Sequence, residues 1–201
     1  VEWIDTLPER FSGIMLGNEV LDAMPAHLMA LGEKGWQQRG VCNTDNGFAW
    51  ADAAIDAPQL QRNCHTLEVS APYLSEVSLA NRAFIRTLAQ HLQQGLILLI
   101  DYGFGASEYY HPQRNQGTLM CHYRPHSHGE PFFLPGLQDI TVHVDFSAIA
   151  QTAIDNGLDL HGYTTQSHFL LNSGISDLLQ RLNPDDIKTY LDGKKDDLSY
   201  I

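Results

Sequence analysis

Acidic residues that follow short apolar runs are the residues of this sequence best placed to do chemistry. Glu19 and Asp22 come after the run Gly13 to Gly17, and Asp101 comes after the run Leu96 to Ile100. In open α/β sheets, ligands bind outside the carboxyl ends of the strands, so these carboxylates could bind a cation or accept a proton. Acidic caps and loop carboxylates are also common at such places, and this ordinary role stays open.

The two apolar runs predict the strands that position these carboxylates. Leu96 to Ile100 has no polar alternation, which indicates a strand covered on both faces, as in a parallel sheet. After the run Gly13 to Gly17, Val20 to Met24 predict one helical turn that ends at Pro25. Each run therefore predicts a strand that leads into an acidic loop.

Two helices are predicted from apolar residues that recur at three- and four-residue steps. The first spans Ser75 to Gln94, with Ser75 as its N-cap and Gly95 as its C-terminal stop. The second spans Asp145 to Asn156, and Asp145 can cap it. A helix, one glycine and a buried strand are typical of an α/β unit. The apolar stripes are Val77, Ala80, Phe84, Leu88 and Leu92 in the first helix, and Phe146, Ile149, Ala150, Ala153 and Ile154 in the second.

The region between the two predicted strands is an insertion, over residues 28–72. Asn46-Gly47 suits the positive φ angles of a tight turn, and apolar residues flank it, so Gly35 to Asp52 is predicted to form a β-hairpin. The segment from Ala53 to Pro72 is predicted to be a loop.

Shorter patterns predict the remaining elements. Gln166 to Leu182 is predicted to be helical, with a break near Gly174. Asn183 and Pro184 predict the start of a further helix before a charged tail. Strands are predicted at Gly117 to Tyr123, Ile140 to Val144 and Leu158 to Tyr163.

The composition limits the classes of partner and compartment. The 201 residues carry a formal net charge of -12, which argues against a general nucleic-acid binder and favours a basic protein partner. Three cysteines, odd in number and far apart, indicate a reducing compartment, and we predict a cytoplasmic location. No apolar run approaches the roughly 20 residues of a membrane span.

Two other kinds of site are disfavoured by spacing. Gly103-Phe104-Gly105 follows a strand, but a dinucleotide loop needs a further glycine where Glu108 stands. A metal site is also disfavoured, because Cys121 and the nearby histidines fail the usual zinc spacings. These histidines are His111, His122, His126 and His128.

Several long blocks in order resemble the MidA family, the bacterial relatives of a mitochondrial complex I assembly methyltransferase. The resemblance runs from about Gly13 to Leu182. The blocks are Gly17 to Pro25, Asp101 to Gly103, Glu108 to Arg114, Gly117 to Arg124, Pro135 to Thr141 and His143 to Phe146.

This resemblance implies a class I methyltransferase that uses S-adenosylmethionine, with a Rossmann-like, doubly wound α/β sheet. Ile14 to Leu16 would be its fourth strand and Leu96 to Ile100 its fifth, with the inserted hairpin on the substrate side. It also implies methylation of arginine in a protein, with a respiratory complex I subunit as one candidate substrate.

The resemblance further implies catalytic roles for four residues. Glu19 and Asp22 would pair with the guanidinium of the acceptor, which stays protonated near neutral pH. His143 and Asp145 would line the acceptor channel. These two are next-nearest neighbours and would share one face of a strand, although Asp145 could simply cap a helix and His143 satisfy a backbone group.

Three more residues are expected at the cofactor. Asn18 would face the methionine end of S-adenosylmethionine, and Asp101 with Tyr102 would shape the floor of the pocket. No metal ligand is predicted.

The sequence also departs from the family pattern. The glycine-rich loop after the first strand of such enzymes, and the acidic residue after the second, have no counterpart here. Residues 1–182 are therefore predicted to be the distal part of the enzyme, in an excised or truncated piece, with a helix and charged tail at residues 183–201. An open edge at the fourth strand predicts self-association. A non-catalytic binding or assembly module stays open, as does, more distantly, a metallohydrolase built on the histidine-rich loop.

Overall fold

A computed structural model of the chain describes residues 2–181, which fall into two compact units. The larger unit comprises residues 2–123 and 127–160, and it contains every residue proposed above for the site. The smaller unit comprises residues 124–126 and 161–181 of the described chain. The predicted helix at Asn183 and the tail lie outside the described residues.

The described residues form eleven strands and six helices. The strands are β1 (Phe11–Asn18), β2 (His27–Gly32), β3 (Gly35–Thr44), β4 (Gly47–Ala53), β5 (Tyr73–Val77), β6 (Leu92–Ile100), β7 (Gly103–Phe104), β8 (Met120–Tyr123), β9 (His126–His128), β10 (Asp139–Thr141) and β11 (Val144–Asp145). The helices are α1 (Pro58–His65), α2 (Leu79–His91), α3 (Ala106–Tyr109), α4 (Phe146–Asp155), α5 (Gln166–Asn172) and α6 (Ile175–Arg181).

The two predicted strands pair in parallel, as β1 and β6. Their register runs from Gly13 opposite Gly95 to Asn18 opposite Ile100, so both strands end at the same edge. The prediction that Leu96 to Ile100 is covered on both faces is wrong for the described chain, since Leu96 is 40% exposed. Its neighbours on the same face of β1, Ile14 and Leu16, are 68% and 66% exposed. Only one face packs against the core, where Leu99 contacts buried residues.

The helix α2 is shorter than predicted. Ser78, rather than Ser75, is its N-cap, and the Ser78 side chain accepts a hydrogen bond from the backbone N–H of Asn81 at 3.1 Å. The residues Tyr73 to Val77 form β5 instead of the first helical turn. Gly95 lies inside β6 with φ +144, where a Cβ would meet the backbone of Gly13, so it serves close strand pairing and is not a helix stop.

The helix α4 and the core beside it confirm the prediction for residues 145–156. Asp145 caps α4, because its Oδ1 accepts the backbone N–H of Ala148 at 3.1 Å. Ile154, predicted in the buried stripe, is instead half exposed. The core cluster joins α2 and α4 to the loop after β1, and its buried members are Leu21, Ile85, Val144 and Ile149.

The predicted insertion forms most of an antiparallel sheet in the order β4-β3-β2-β5, and β5 follows directly after the insertion. The hairpin is confirmed as β3 and β4, with Thr44 opposite Gly47 across the turn. The sequence pattern did not predict β2 and β5, which extend this sheet on the β3 side of the hairpin. It also missed α1, where Pro58, read as a loop residue, takes the first helical turn.

Of the elements predicted after residue 116, some form in the structure and others do not. The strand predicted at Leu158 to Tyr163 is wrong, since these residues form no regular element. The break near Gly174 is confirmed, because α5 and α6 meet there and Gly174 has φ +85. Of the strands predicted at residues 117–123 and 140–144, only the shorter β8, β10 and β11 form. No helix among the described residues has the length and apolar character needed to cross a membrane.

Candidate functional site

The loops that follow β1 and β6 are held together by one carboxylate. Asp101, directly after β6, accepts the backbone N–H of Leu21 at 2.8 Å and of Asp22 at 3.3 Å through Oδ2. Its Oδ1 accepts the N–H of Tyr102 at 2.8 Å. Through Oδ2, Asp101 thus fixes the position of the acidic loop after β1.

The side chain of Asp22 is the buried acid of the cluster. It is 7% exposed, and its Oδ1 has no hydrogen-bond partner. Burial raises the pKa of Asp22, and the negative charges of Asp101, Glu19 and Asp139 raise it further, against the backbone N–H of Ala23. The charged neighbours that most affect Asp22 are therefore all carboxylates.

Glu19 and Tyr102 form the exposed side of the same cluster. Glu19 has a left-handed backbone with φ 50, and its N–H donates to the carbonyl oxygen of Ile100 at 2.9 Å. The carboxylate of Glu19 accepts from the Tyr102 hydroxyl and raises the pKa of that phenol. Asn18 is exposed at the end of β1. The structure thus brings Asn18, Glu19, Asp22, Asp101 and Tyr102 to one edge, as the sequence predicts.

The segment 142–144 runs between the two acidic loops. The N–H of Val142 donates to the carbonyl oxygen of Asp22 at 3.1 Å, and the N–H of Val144 donates to that of Tyr102 at 2.8 Å. His143 lies between these anchors, and its Nδ1 is buried without a partner. Its ring lies 5.2 Å from the ring of Phe104, centroid to centroid.

The electrostatic surroundings of His143 favour its neutral form. Burial lowers the pKa of His143, and the positive charge of Arg114 lowers it further, while Asp101 opposes them. The Arg114 guanidinium lies over the Phe104 ring, 4.1 Å from its centroid. A neutral imidazole beside the acidic cluster does not repel a bound cation.

The hydrogen-bond partners of the Asp145 side chain lie outside the acidic cluster. Its Oδ2 accepts the Tyr110 hydroxyl at 3.0 Å, while Oδ1 caps α4. Burial and the Asp145 charge raise the pKa of Tyr110. Asp145 and His143 both line a cavity of about 20 Å³ that also borders Glu76. The capping role left open for Asp145 is therefore real.

A buried polar network next to this cavity was missed by the sequence reasoning. It links Glu76 on β5 with Thr118 and Tyr109 through hydrogen bonds. The helix predicted from Ser75 placed Glu76 in its first turn, whereas the structure places Glu76 in β5. The apolar and aromatic residues Tyr73, Leu74 and Val77 were the feature of the sequence that could have predicted a strand here.

The raised pKa of Asp22 predicts a pH-dependent stability difference. The folded protein binds the Asp22 proton above the ordinary pKa of 3.8, so stability falls as pH rises through the folded-state pKa. Asn at this position cannot ionise. As the pH rises from about 4 through the folded-state pKa, the Asp22→Asn variant should therefore gain stability relative to the wild type.

Denaturant unfolding of both proteins at a series of pH values measures this difference. The exposed Asp45→Asn serves as the control and should track the wild type. A constant difference between Asp22→Asn and the wild type at all pH values would contradict the assigned burial of the Asp22 charge.

No cluster of three or more His, Cys, Asp or Glu side chains suited to a metal ion occurs within residues 2–181. The histidines that the sequence crowds between residues 111 and 128 do not converge there with Cys121, which is buried while His122 is exposed. The side chains described above offer carboxylates, a phenol and an imidazole.

Curated relatives of the chain are mitochondrial proteins. The "Protein arginine methyltransferase NDUFAF7 homolog, mitochondrial" of Caenorhabditis elegans is 28% identical over 189 residues, which cover 89% of this chain and 41% of that protein. The "Protein arginine methyltransferase NDUFAF7, mitochondrial" of Danio rerio is 29% identical over 182 residues, with the same coverage. The chain thus spans less than half the length of these relatives.

Two solved structures from Burkholderia thailandensis share the fold. A COG1565 superfamily member bound to S-adenosyl-homocysteine has a TM-score of 0.88 and 49% identity, covering 94% of this chain and 49% of its own. A native COG1565 superfamily protein has a TM-score of 0.88 and 48% identity, covering 96% and 52%. The predicted fold class, a partial Rossmann-like methyltransferase sheet, is confirmed by this likeness.

A family model identifies the chain independently of these relatives. The model described as "Putative S-adenosyl-L-methionine-dependent methyltransferase" matches residues 1–164, most of the chain. This match agrees with the MidA resemblance of the sequence blocks. The chain therefore belongs to this family of S-adenosyl-L-methionine-dependent methyltransferases.

Proposed function

We propose that this chain provides the acceptor-binding part of a protein arginine methyltransferase that uses S-adenosylmethionine. The observation that supports this proposal is the cluster of Glu19, Asp22 and Asp101 at the ends of two parallel strands, where carboxylates surround Asp22. Such a cluster suits a guanidinium, a planar cation with five N–H donors. The arginine methyltransferase names of the curated relatives support the same acceptor.

The three carboxylates have different tasks in this proposal. Glu19 is exposed at the strand end and binds the incoming guanidinium. Asp22 offers the unpartnered Oδ1, and its raised pKa makes it a better proton acceptor than an ordinary aspartate. The acceptor nitrogen must lose a proton as it is methylated, so a carboxylate at this place is needed. Asp101 positions the loop.

The residues present fit the cationic end of S-adenosylmethionine. When bound, this cofactor supplies an electrophilic methyl group on a positively charged sulfur. A cluster of negative charges with an unpartnered buried oxygen suits such a cation. Asn18 offers an exposed amide at the end of β1, and Tyr102 offers an exposed ring beside it. Asn18, Tyr102 and Asp101 are thus proposed to form one side of the cofactor pocket.

His143 and Asp145 are proposed as the wall of the acceptor channel. The lowered pKa of His143 keeps the imidazole neutral near pH 7, so it can sit beside a guanidinium. Asp145 is bonded to Tyr110 and to the first turn of α4, and its task is to hold that wall in place. Neither residue is proposed to receive the proton.

The partners proposed are a protein with a target arginine and a further copy of this chain. A respiratory complex I subunit fits the family resemblance as the acceptor. Self-association fits the strand β1, which pairs only with β6 among the described strands and exposes Ile14 and Leu16. The cytoplasmic location remains a prediction from the cysteine content, while the named relatives are mitochondrial.

Calorimetric titration tests this function on the chain itself. S-adenosylmethionine, S-adenosyl-homocysteine and an arginine-containing peptide are titrated separately, with the lysine version of the peptide as the control. We expect the arginine peptide to bind and the lysine peptide to bind more weakly, because only arginine offers a planar fork of donors. Equal binding of both peptides, or binding of neither peptide and no cofactor, would contradict the proposal. Sedimentation of the same sample tests self-association, and a monomer at high concentration would oppose it.

A further inference from the structure

The carboxylate of Glu76 is buried outside the acidic cluster. It accepts hydrogen bonds from the loop 117–119. Its side chain is 1% exposed. Oε1 accepts the backbone N–H of Thr118 at 2.9 Å and of Leu119 at 3.0 Å, and Oε2 accepts the Thr118 hydroxyl at 2.9 Å. The Tyr109 hydroxyl adds a longer bond of 3.4 Å to Oε2. Glu76 thus binds the loop 117–119 to β5.

The close approach of this loop to Glu76 depends on a glycine. Gly117 has φ +75, a conformation that residues with a side chain rarely adopt. A Cβ at Gly117 would also meet Oε1 of Glu76. The backbone before Thr118 is therefore shaped to bring its N–H and hydroxyl onto the carboxylate.

The hydroxyl of Thr118 connects Glu76 to His143. A hydroxyl has one hydrogen to donate, and that of Thr118 goes to Glu76. The oxygen is then free to accept, and it accepts the backbone N–H of His143 at 3.1 Å. Since a carboxylate cannot donate, the direction of this chain of hydrogen bonds is set by Glu76.

Three successive backbone N–H groups therefore tie the segment 142–144 to three different partners. Val142 binds the carbonyl oxygen of Asp22, His143 binds the Thr118 hydroxyl, and Val144 binds the carbonyl oxygen of Tyr102. The outer two partners belong to the acidic loops. The middle one belongs to the network around Glu76.

We propose that Glu76 and Thr118 are positioning residues for the methyl transfer, holding His143 and the segment 142–144 in register against the loops that carry Asp22 and Tyr102. This inference rests on the proposed function for its link to methyl transfer. Neither residue needs to touch the acceptor or the cofactor. The pair acts because a displaced segment would move both acidic loops, and a small misplacement of reacting groups costs rate.

The variant Thr118→Val tests the link, because it removes the hydroxyl and keeps the backbone N–H that binds Glu76. Thr118→Ser restores the hydroxyl. Thr152→Val is the matched control, because Thr152 is as buried as Thr118, 7% against 6% exposed, and its hydroxyl donates only within α4, to the carbonyl oxygen of Ala148 at 2.7 Å. All four proteins, wild type included, are compared at temperatures where each is folded.

Two measurements on these proteins separate positioning from stability alone. In methyl transfer to an arginine peptide by a complete enzyme that carries these changes, Thr118→Val should lower kcat by about tenfold or more with little change in KM, and Thr118→Ser should recover most of it. By NMR, the imidazole of His143 should titrate at a pH shifted by at least about 0.3 unit in Thr118→Val, because it moves relative to Asp101 and Arg114.

Methyl transfer by the wild type tests the proposed function, whereas the His143 titration tests the positioning role. If the complete wild-type enzyme transfers no methyl group to arginine, the proposed function fails, and the His143 titration still decides the positioning role. An unchanged His143 titration in Thr118→Val overturns the inference. So does an equal loss of kcat in Thr118→Val and Thr152→Val, since general destabilisation would then account for both.

Discussion

Replacing Glu76 with alanine should lower the free energy of unfolding by about 3 kcal/mol or more. The change removes the acceptor of the Thr118 and Leu119 backbone N–H groups and of the Thr118 hydroxyl, which are left in a buried site. Burial raises the pKa of Glu76, so the charged side chain is costly where it stands. The loss of its hydrogen bonds outweighs relief of that cost, because three donors lose a charged acceptor in a largely buried site.

Denaturant unfolding measures this effect, with Glu68→Ala as the control because Glu68 is exposed. That control should stay within about 0.5 kcal/mol of the wild type. A Glu76→Ala variant with the stability of the control would mean that the network around Glu76 contributes nothing to folding.

In a complete enzyme, replacing Glu19 with glutamine should reduce methyl transfer to arginine by about 10²-fold or more and leave cofactor affinity nearly unchanged. Glutamine keeps the size of the side chain but lacks the negative charge that is proposed to pair with the guanidinium of the acceptor. The exposed position of Glu19 means that the fold should tolerate the change.

Turnover and cofactor binding must be measured on the same Glu19→Gln preparation. Glu33→Gln, in the exposed turn between β2 and β3, is the matched control and should keep wild-type turnover. Unchanged turnover in Glu19→Gln would show that this residue does not bind the acceptor. Cofactor affinity that falls as far as turnover would move Glu19 to the cofactor side of the site.

The meeting of the acidic residues was predictable because the family resemblance makes the two strands neighbours and their shared direction does the rest. Once Gly13 to Gly17 and Leu96 to Ile100 are taken as neighbouring parallel strands, their carboxyl ends must share an edge, and Glu19 and Asp101 come together. The cap of α4 at Asp145 was predictable for a similar reason, since it depends on residues close in sequence.

The network around Glu76 was not predictable, because it depends on contacts between residues about 42 positions apart. The spacing of apolar residues also placed Val77 wrongly in a helix, because Val77 fits the apolar stripe of a helix as well as the buried face of β5. Gly95 was misread for the same reason. A glycine after a helix usually stops it, whereas here it lets two strands approach each other within the sheet.

The left-handed backbone at Glu19 has a consequence for how this protein would respond to selection. A φ of 50 costs a residue with a side chain about 1 kcal/mol, and glycine would occupy it without that cost. Thermal selection without a functional screen should therefore favour Gly at position 19, and with it the loss of the carboxylate. Persistence of Glu there, in a library selected for stability alone, would indicate that contacts with Tyr102 outweigh the backbone strain.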